Sequence, residues 1–350
     1  MPTGTFLDDV ASEAELARRL VDETHGELSP VLAAASEEVK KRPLLILAGM
    51  GSSLAAAATV CPRLNQRGWF AIPMDAGEVL HHGLPGLAAT ATVILISQSG
   101  RSAETVRLMT ALRTAPDWSV IAVTNDLDSP LARGATVTLP IRAGEEQAVA
   151  TKTFLATLVV LHALVDRLVD ENCVAEERLG PDLRLLEATV SDLGAAETWA
   201  DHLASVSSLA LVGRGAALGL AHYGSITLEE TARLPAQPFA GGAFRHGPLE
   251  LAAPELGVIV LAGAEHTRPL QLRLARDASR AGARVWIIDS DSPSPVDLDG
   301  LQRLRIESGD ELGNQLVTAA VLQLFAAALA KRRGYEPGVM RHSSKVTDME

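Results

Sequence analysis

The sequence predicts an α/β chain: two tandem doubly wound parallel-sheet lobes related by internal duplication, with an N-terminal helix and a C-terminal tail. Three observations predict it. First, a pattern repeats. LLILAGMGSSL (44–54) and LALVGRGAALG (209–219) are each an apolar run, a G-x-G and a helix-like stretch, with Gly49 and Gly213 offset by 164. VILIS (93–97) matches VIVLA (258–262), VIAVTND (120–126) matches VWIIDSD (285–291), and LPI (139–141) matches LRI (304–306), each at an offset of 165. Second, these runs are continuously apolar, as parallel strands covered on both faces require, and helical stretches such as 102–113 and 269–282 lie between them. Third, 47% of the 350 residues are hydrophobic but only 3% aromatic, so Ala, Val and Leu must build the core, which favours closely packed helices and parallel sheet.

In chain order, the reading places an N-terminal helix over 1–40, the first lobe over 41–170 and a helical connection over 171–204. The second lobe follows over 205–333 and a polar tail over 334–350. The apolar stretches 154–169 and 316–330 are short or interrupted by His162, Asp166 and Gln323, and are expected to be core helices, with no membrane partner. The net charge of −12 leaves no basic face for nucleic acid; Lys331-Arg332-Arg333 sits where a helix C-terminus favours cations anyway. Cys61 and Cys173 lack CxxC spacing and are expected to be reduced thiols. The start, MPTGTFLDDVASEAE, has no apolar signal region, so a cytoplasmic location is expected.

In a doubly wound sheet, ligands bind beyond the carboxyl ends of the strands. Those ends read GMGSS, SQSG and TND in the first lobe, but GRGAA, AGAE and DSD in the second. Gly51, Ser52 and Ser53 enter one helix; Ser97, Gln98, Ser99 and Ser102 enter another. Helix N-termini carry free N–H groups and partial positive charge, so two serine-rich turns at neighbouring strand ends suit a phosphate. The bland alternative is N-capping, which serines before a helix often perform. Gly49-x-Gly51 with Asp75 also admits a dinucleotide reading, but Leu54 stands where the third glycine of that fingerprint belongs.

The second lobe carries Glu229 and Glu230 on the helix after its G-x-G strand, and His246 in a glycine-rich turn. Subtracting 165 sets Glu230 opposite Asn65, so this carboxylate has no partner in the first lobe, whereas His246 falls on His81. A buried carboxylate beside a carbonyl compound can carry a proton between adjacent carbons. A solvated helix face and a packed histidine are the plain alternative.

With GMGSS, SQSGRSAET, EEQAVATKTF, LEE…FRHGPLEL and SSKVT in this order, the sequence resembles the sugar isomerase (SIS) domain family from about residue 40 onward. It is most similar in plan to the isomerase half of glutamine–fructose-6-phosphate aminotransferase and to stand-alone SIS-type glucosamine-6-phosphate deaminases. The resemblance implies flavodoxin-like SIS lobes. It implies sugar-phosphate contacts at Gly51, Ser52, Ser53, Ser97, Gln98, Ser99 and Ser102, and a closing segment at Ala150 and Thr151. It further implies that Glu230 is the C1–C2 proton carrier, that His246 assists ring opening from a neighbouring subunit of a homodimer, and that Lys345 on the tail folds over the substrate. No metal or organic cofactor is implied. Thr227 stands where the synthase has a lysine, QAVATK is one residue short, and MPTGTF lacks the synthase's N-terminal cysteine nucleophile. The expectation is therefore an amino-sugar-phosphate isomerase/deaminase acting on a small sugar phosphate. A non-catalytic sugar-phosphate sensor and an isomerase without deamination are the alternatives.

Overall fold

Ten strands form two five-stranded sheets in the computed structural model, which describes residues 4–42, 44–83, 91–114, 118–147, 149–263, 266–290, 298 and 300–342. The first sheet holds β1 (Leu44–Gly49), β2 (Phe70–Asp75), β3 (Ala91–Ile96), β4 (Val120–Thr124) and β5 (Val137–Pro140) in the order β2-β1-β3-β4-β5. The second holds β6 (Ser208–Gly213), β7 (Ala236–Ala240), β8 (Leu256–Ala262), β9 (Arg284–Asp289) and β10 (Gln302–Arg305). Its order, β10-β9-β8-β6-β7, is the first order read from the other edge. Every pairing is parallel, with Gly49 beside Ile96 and Gly213 beside Ala240. Both sheets therefore have the 2-1-3-4-5 order of a doubly wound fold, with the switch of direction between the first and third strands.

The chain divides into two compact units. One comprises Glu15–Glu146 and Lys152–Leu179 and contains the first sheet; the other comprises 4–14, Gln147–Thr151 and 180–341 and contains the second. In the first unit, β3 is buried along its whole length, and the helix Ser52–Gln66 packs on the helix Lys152–Val169. Arg63, almost fully buried, ties that contact together. It donates to Asp166 at 2.5 Å, Glu171 at 2.7 Å and the sulfur of Cys173 at 3.0 Å, and lies 3.1 Å from His162 Nδ1. Both cysteines are buried and in no disulfide, and burial pushes the Cys61 thiol up to about 12. In the second unit, the helix Glu311–Arg332 packs on the helices Ala216–Ala232 and Gly194–Leu203. It is long and apolar enough to cross a membrane, and it is buried inside the unit. Trp199 packs on Trp286, with ring centroids 4.6 Å apart, and on Phe325 at 5.7 Å.

The N-terminal region is three helices rather than one: Phe6–Ala11, Glu13–His25 and Ser29–Lys40. Thr5 and Asp8 form a reciprocal capping box at the first start, and Pro30 lies in the first turn of the third helix, where its missing N–H costs nothing. The connection is likewise two helices, Glu176–Val190 and Gly194–Leu203, separated by a turn in which Asp192 Oδ1 accepts from Gly194 N–H at 2.8 Å.

The repeated G-x-G has a backbone explanation. A Cβ on Gly213 would lie 2.2 Å from the Ala217 carbonyl oxygen, and one on Gly49 would lie 3.0 Å from that of Ile96. The second glycines, Gly51 and Gly215, cap the following helices at φ 51° and 57°. Close helix approach and a left-handed turn account for the motif without a dinucleotide. Asp75 is engaged as well: its Oδ1 accepts from Gly77 and Glu78 N–H at 2.9 and 3.2 Å.

Candidate functional site

In the first unit, the serine turns follow β1 and β3, which are neighbours at the switch point. Ser52 and Ser53 form the first turn of the helix Ser52–Gln66, and both are half-buried; Gly51 offers that turn no side-chain cap. Ser97 is 4% exposed, and its hydroxyl accepts from Gly100 N–H at 3.2 Å. Ser99 Oγ accepts from Arg101 N–H at 3.2 Å. These two hydroxyls thus help close the bend, while their protons stay available for an acceptor. Ser102 is the N-cap of the helix Ala103–Leu112 yet makes no side-chain capping bond; its hydroxyl lies 3.4 Å from that of Ser97. A serine that leaves its helix uncapped is not behaving as an ordinary cap, which separates Ser102 from the bland alternative.

Residues beyond the serines fix this turn. Gly100 has φ 61°, and a Cβ there would sit 2.1 Å from Ser129 Oγ. The Gln98 carbonyl accepts from Asn125 N–H at 2.9 Å and from the Thr124 hydroxyl at 3.2 Å, so Gln98 is held by its backbone at the end of β4. Asn125 in turn bonds Gly144 O and Ala143 N–H, both at 2.8 Å. Arg101 reaches Asp126 at 2.7 Å, and this hydrogen bond holds the Asp126 carboxyl below the usual aspartate range. The TND stretch signalled a strand end in the sequence, but its role as the turn's support is visible only in three dimensions.

In the second unit, Glu229 and Glu230 lie near the end of the helix Ala216–Ala232. The structure corrects their match to the first lobe. Glu229 Oε1 accepts from Ala236 N–H at 3.3 Å, and Asn65 Oδ1 accepts from Ala71 N–H at 2.9 Å. The two helices begin at Gly51 and Gly215, an offset of 164, so Glu229 matches Asn65 and Glu230 matches Gln66. The added residue lies between this helix and β7. Glu229 therefore does the structural task of Asn65, and Glu230 remains the carboxylate without a counterpart; it is half-buried. Thr227 is buried and donates to the Tyr223 carbonyl at 3.0 Å, so the position that carries a lysine in the synthase motif holds an internally bonded hydroxyl. His246 is exposed at the C-cap of the helix Gly241–Arg245, just before Gly247 at φ 128°.

The segment 147–151 groups with Glu230 in the second unit. Gln147 N–H donates to Asp9 at 2.7 Å, and the Ala150 carbonyl accepts from the Tyr223 hydroxyl at 2.8 Å. Thr151 is fully buried. Immediately beyond, in the first unit, buried Glu146 caps the helix Lys152–Val169 by accepting from Thr153 N–H at 2.8 Å and its hydroxyl at 2.6 Å. Glu146 and Tyr223 escaped the sequence reading. A Glu seven residues before a helix-opening Thr was the one available signal for the first. Lys345 and the SSKVT stretch lie outside the described residues, as does Ala264 of the AGAE stretch.

The doubled 2-1-3-4-5 sheet defines a duplicated doubly wound α/β protein. The SIS domain family matches residues 24–167 and 202–331, and the chain belongs to this family. Glutamine–fructose-6-phosphate aminotransferase [isomerizing] of Sulfurisphaera tokodaii is 30% identical over 316 residues, 90% of this chain and 51% of the relative. The chain thus spans about half the length of the curated relatives it matches. Tagatose-6-phosphate ketose/aldose isomerase from Escherichia coli matches in structure with a TM-score of 0.82 at 18% identity, covering 97% of this chain and 98% of that one. Glucosamine-6-phosphate deaminase from Thermotoga maritima matches with a TM-score of 0.73 at 20% identity, covering 95% and 99%. At these identities the structural matches speak for the fold.

Proposed function

We propose that this protein is an aldose–ketose isomerase of a hexose 6-phosphate which, on an amino sugar such as glucosamine 6-phosphate, also releases ammonia. The phosphate is assigned to the turns at Gly51, Ser52 and Ser53 and at Ser97, Gln98, Ser99 and Ser102. Glu230 takes the proton from C2 of the opened aldehyde and returns it to C1. With a 2-amino sugar this leaves a C2 imine; water adds to C2, the C–N bond breaks, and ammonia and fructose 6-phosphate result. His246, from the partner in a homodimer, assists ring opening, and Lys345 together with Ala150 and Thr151 closes over the sugar.

The observation that carries this reading is the division of labour between the lobes. The uncapped Ser102 stands beside Ser97 in the first lobe, and Glu230 in the second has Gln66 rather than a carboxylate as its counterpart. Hydroxyl donors at helix N-termini suit an anion; a carboxylate on another element suits proton transfer. Glu230→Gln should lower turnover of glucosamine 6-phosphate by about 10²–10⁴-fold, the usual worth of a positioned acid–base group, while sugar-phosphate affinity stays within a few-fold. Ammonia and ketose formation measure the first quantity and calorimetry the second; near-normal turnover removes Glu230 from the mechanism.

A specific observation favours a second reading. The internally bonded Thr227 provides no cation at the position where the synthase motif has a lysine. A sugar-phosphate sensor needs the serine turns and no such cation. Calorimetric binding of hexose phosphates without ketose or ammonia formation would select it.

A further inference from the structure

We infer that Tyr223 is a positioning residue that couples the segment 147–151 to the helix carrying Glu230; this rests on the proposed isomerase reading. Tyr223 is fully buried, and its hydroxyl stands in a two-bond chain: Gln323 Nε2 donates to it at 2.8 Å, and it donates to the Ala150 carbonyl at 2.8 Å. The polarity follows from the inventory of donors. A backbone carbonyl can only accept, so the single phenolic proton points at Ala150, and the phenolic oxygen is left to accept from an amide N–H of Gln323. Gln323 is fully buried, and its Oε1 has no hydrogen-bond partner among the described residues. Two apolar side chains would fill this space without that orphan acceptor. Net stability therefore does not account for the pair, whereas fixing one carbonyl of the segment does.

The placement gives the contact a functional sense. Tyr223 and Glu230 are seven residues apart on one helix, two turns, and so lie on nearly the same face. The helix that presents the proton carrier thus also holds Ala150. At its other end the segment is held by Asp9, through the Gln147 N–H. Because Ala150 and Thr151 are assigned to closing on the sugar, loss of the Tyr223 hydroxyl should loosen substrate binding more than it alters the proton transfer itself.

Tyr223→Phe removes the hydroxyl but leaves the Gln323 amide stranded, so the test pairs it with Tyr223→Phe/Gln323→Leu, which also removes the stranded amide. Hydrogen–deuterium exchange of the full chain over the amides of 149–153, with thermal melting as a control, reads the anchoring. The inference expects at least tenfold faster exchange there in both variants. In the double variant it expects a melting temperature close to that of the parent. It further expects the KM for glucosamine 6-phosphate to rise about tenfold with kcat within twofold, the pattern of lost uniform binding. Unchanged exchange in the double variant overturns the inference whatever the enzyme turns over. Faster exchange with an unchanged KM overturns the coupling to substrate. A parent protein that turns over no phosphorylated hexose sinks the isomerase reading instead, and with it the functional part of this inference, while the exchange result still decides whether Tyr223 anchors the segment.

Discussion

β3 and β8 are matching strands of the two lobes of one chain, and the residues around their carboxyl ends use different chemistry. In the first lobe, the bend is lined by Ser97, Ser99 and Ser102, and the next helix begins at Ala103. In the second lobe, the equivalent helix begins at Arg268, which grips buried Asp289 with two hydrogen bonds at 2.5 and 2.9 Å; Arg303 adds an ion pair at 2.6 Å. At an offset of 165, Arg268 replaces Ala103 and Asp289 replaces Thr124. Ser290 closes the rest, donating to the carbonyls of Ala262 and Gly263 at 3.0 and 2.7 Å. A cation in the first turn opposes the helix dipole, and Asp289 offsets it. The second lobe thus carries its own anion at this turn. The first has only an exposed pair here, Arg101–Asp126, beside hydroxyls and a helix start that no side chain caps.

The comparison is broken most severely by Asp289→Asn. Arg268 is 4% exposed, and removing the carboxylate takes away its buried ion-pair partner; breaking a buried pair in this way costs about 3–5 kcal/mol. The expected fall in melting temperature is roughly 10 °C, read by calorimetry. A fall of a degree or two would mean that the pair is not structural. The counterpart in the first lobe should behave in the opposite way. Ser99→Ala with Ser102→Ala should leave melting nearly unchanged while weakening hexose 6-phosphate binding at least tenfold, about 1.4 kcal/mol. Calorimetric titration checks this, and a large stability loss with intact binding would return these serines to capping.

The smallest effect concerns Arg101–Asp126. This pair is exposed, with side chains 47% and 37% accessible, so it contributes less than about 1 kcal/mol. Since Arg101 depresses the Asp126 pKa, its share of stability is present above the ordinary aspartate value and fades as the pH falls through the lowered one. In Arg101→Ala, carboxyl NMR should show Asp126 titrating at higher pH, back toward the ordinary range. An unmoved titration would contradict the pairing.

The fold was legible in the sequence because a parallel sheet covered on both faces writes continuous apolar runs, and duplication writes them twice. The turns that split residues 1–40 into three helices were not, since a local capping box at Thr5 and Asp8 and a proline in a first turn leave the apolar periodicity intact. The serine turns could be found from their absence in the second lobe. The separate roles of Glu229 and Glu230 could not. A single added residue before β7 shifts the match by one, and apolar runs do not locate it; the hydrogen bonds of Asn65 and Glu229 do. Tyr223 was hidden because its partner Ala150 is 73 residues away, and a tertiary hydrogen bond leaves no mark on sequence spacing.

The proposed role of Glu230 is to move a proton between C1 and C2 of a phosphorylated hexose. Incubation with fructose 6-phosphate in deuterium oxide, followed by proton NMR of the sugar, tests it most directly. The account predicts that the parent protein washes deuterium into C1 and that Glu230→Gln does so at least a hundredfold more slowly. Equal wash-in by both proteins, or none by the parent while it still binds the sugar phosphate, would contradict it.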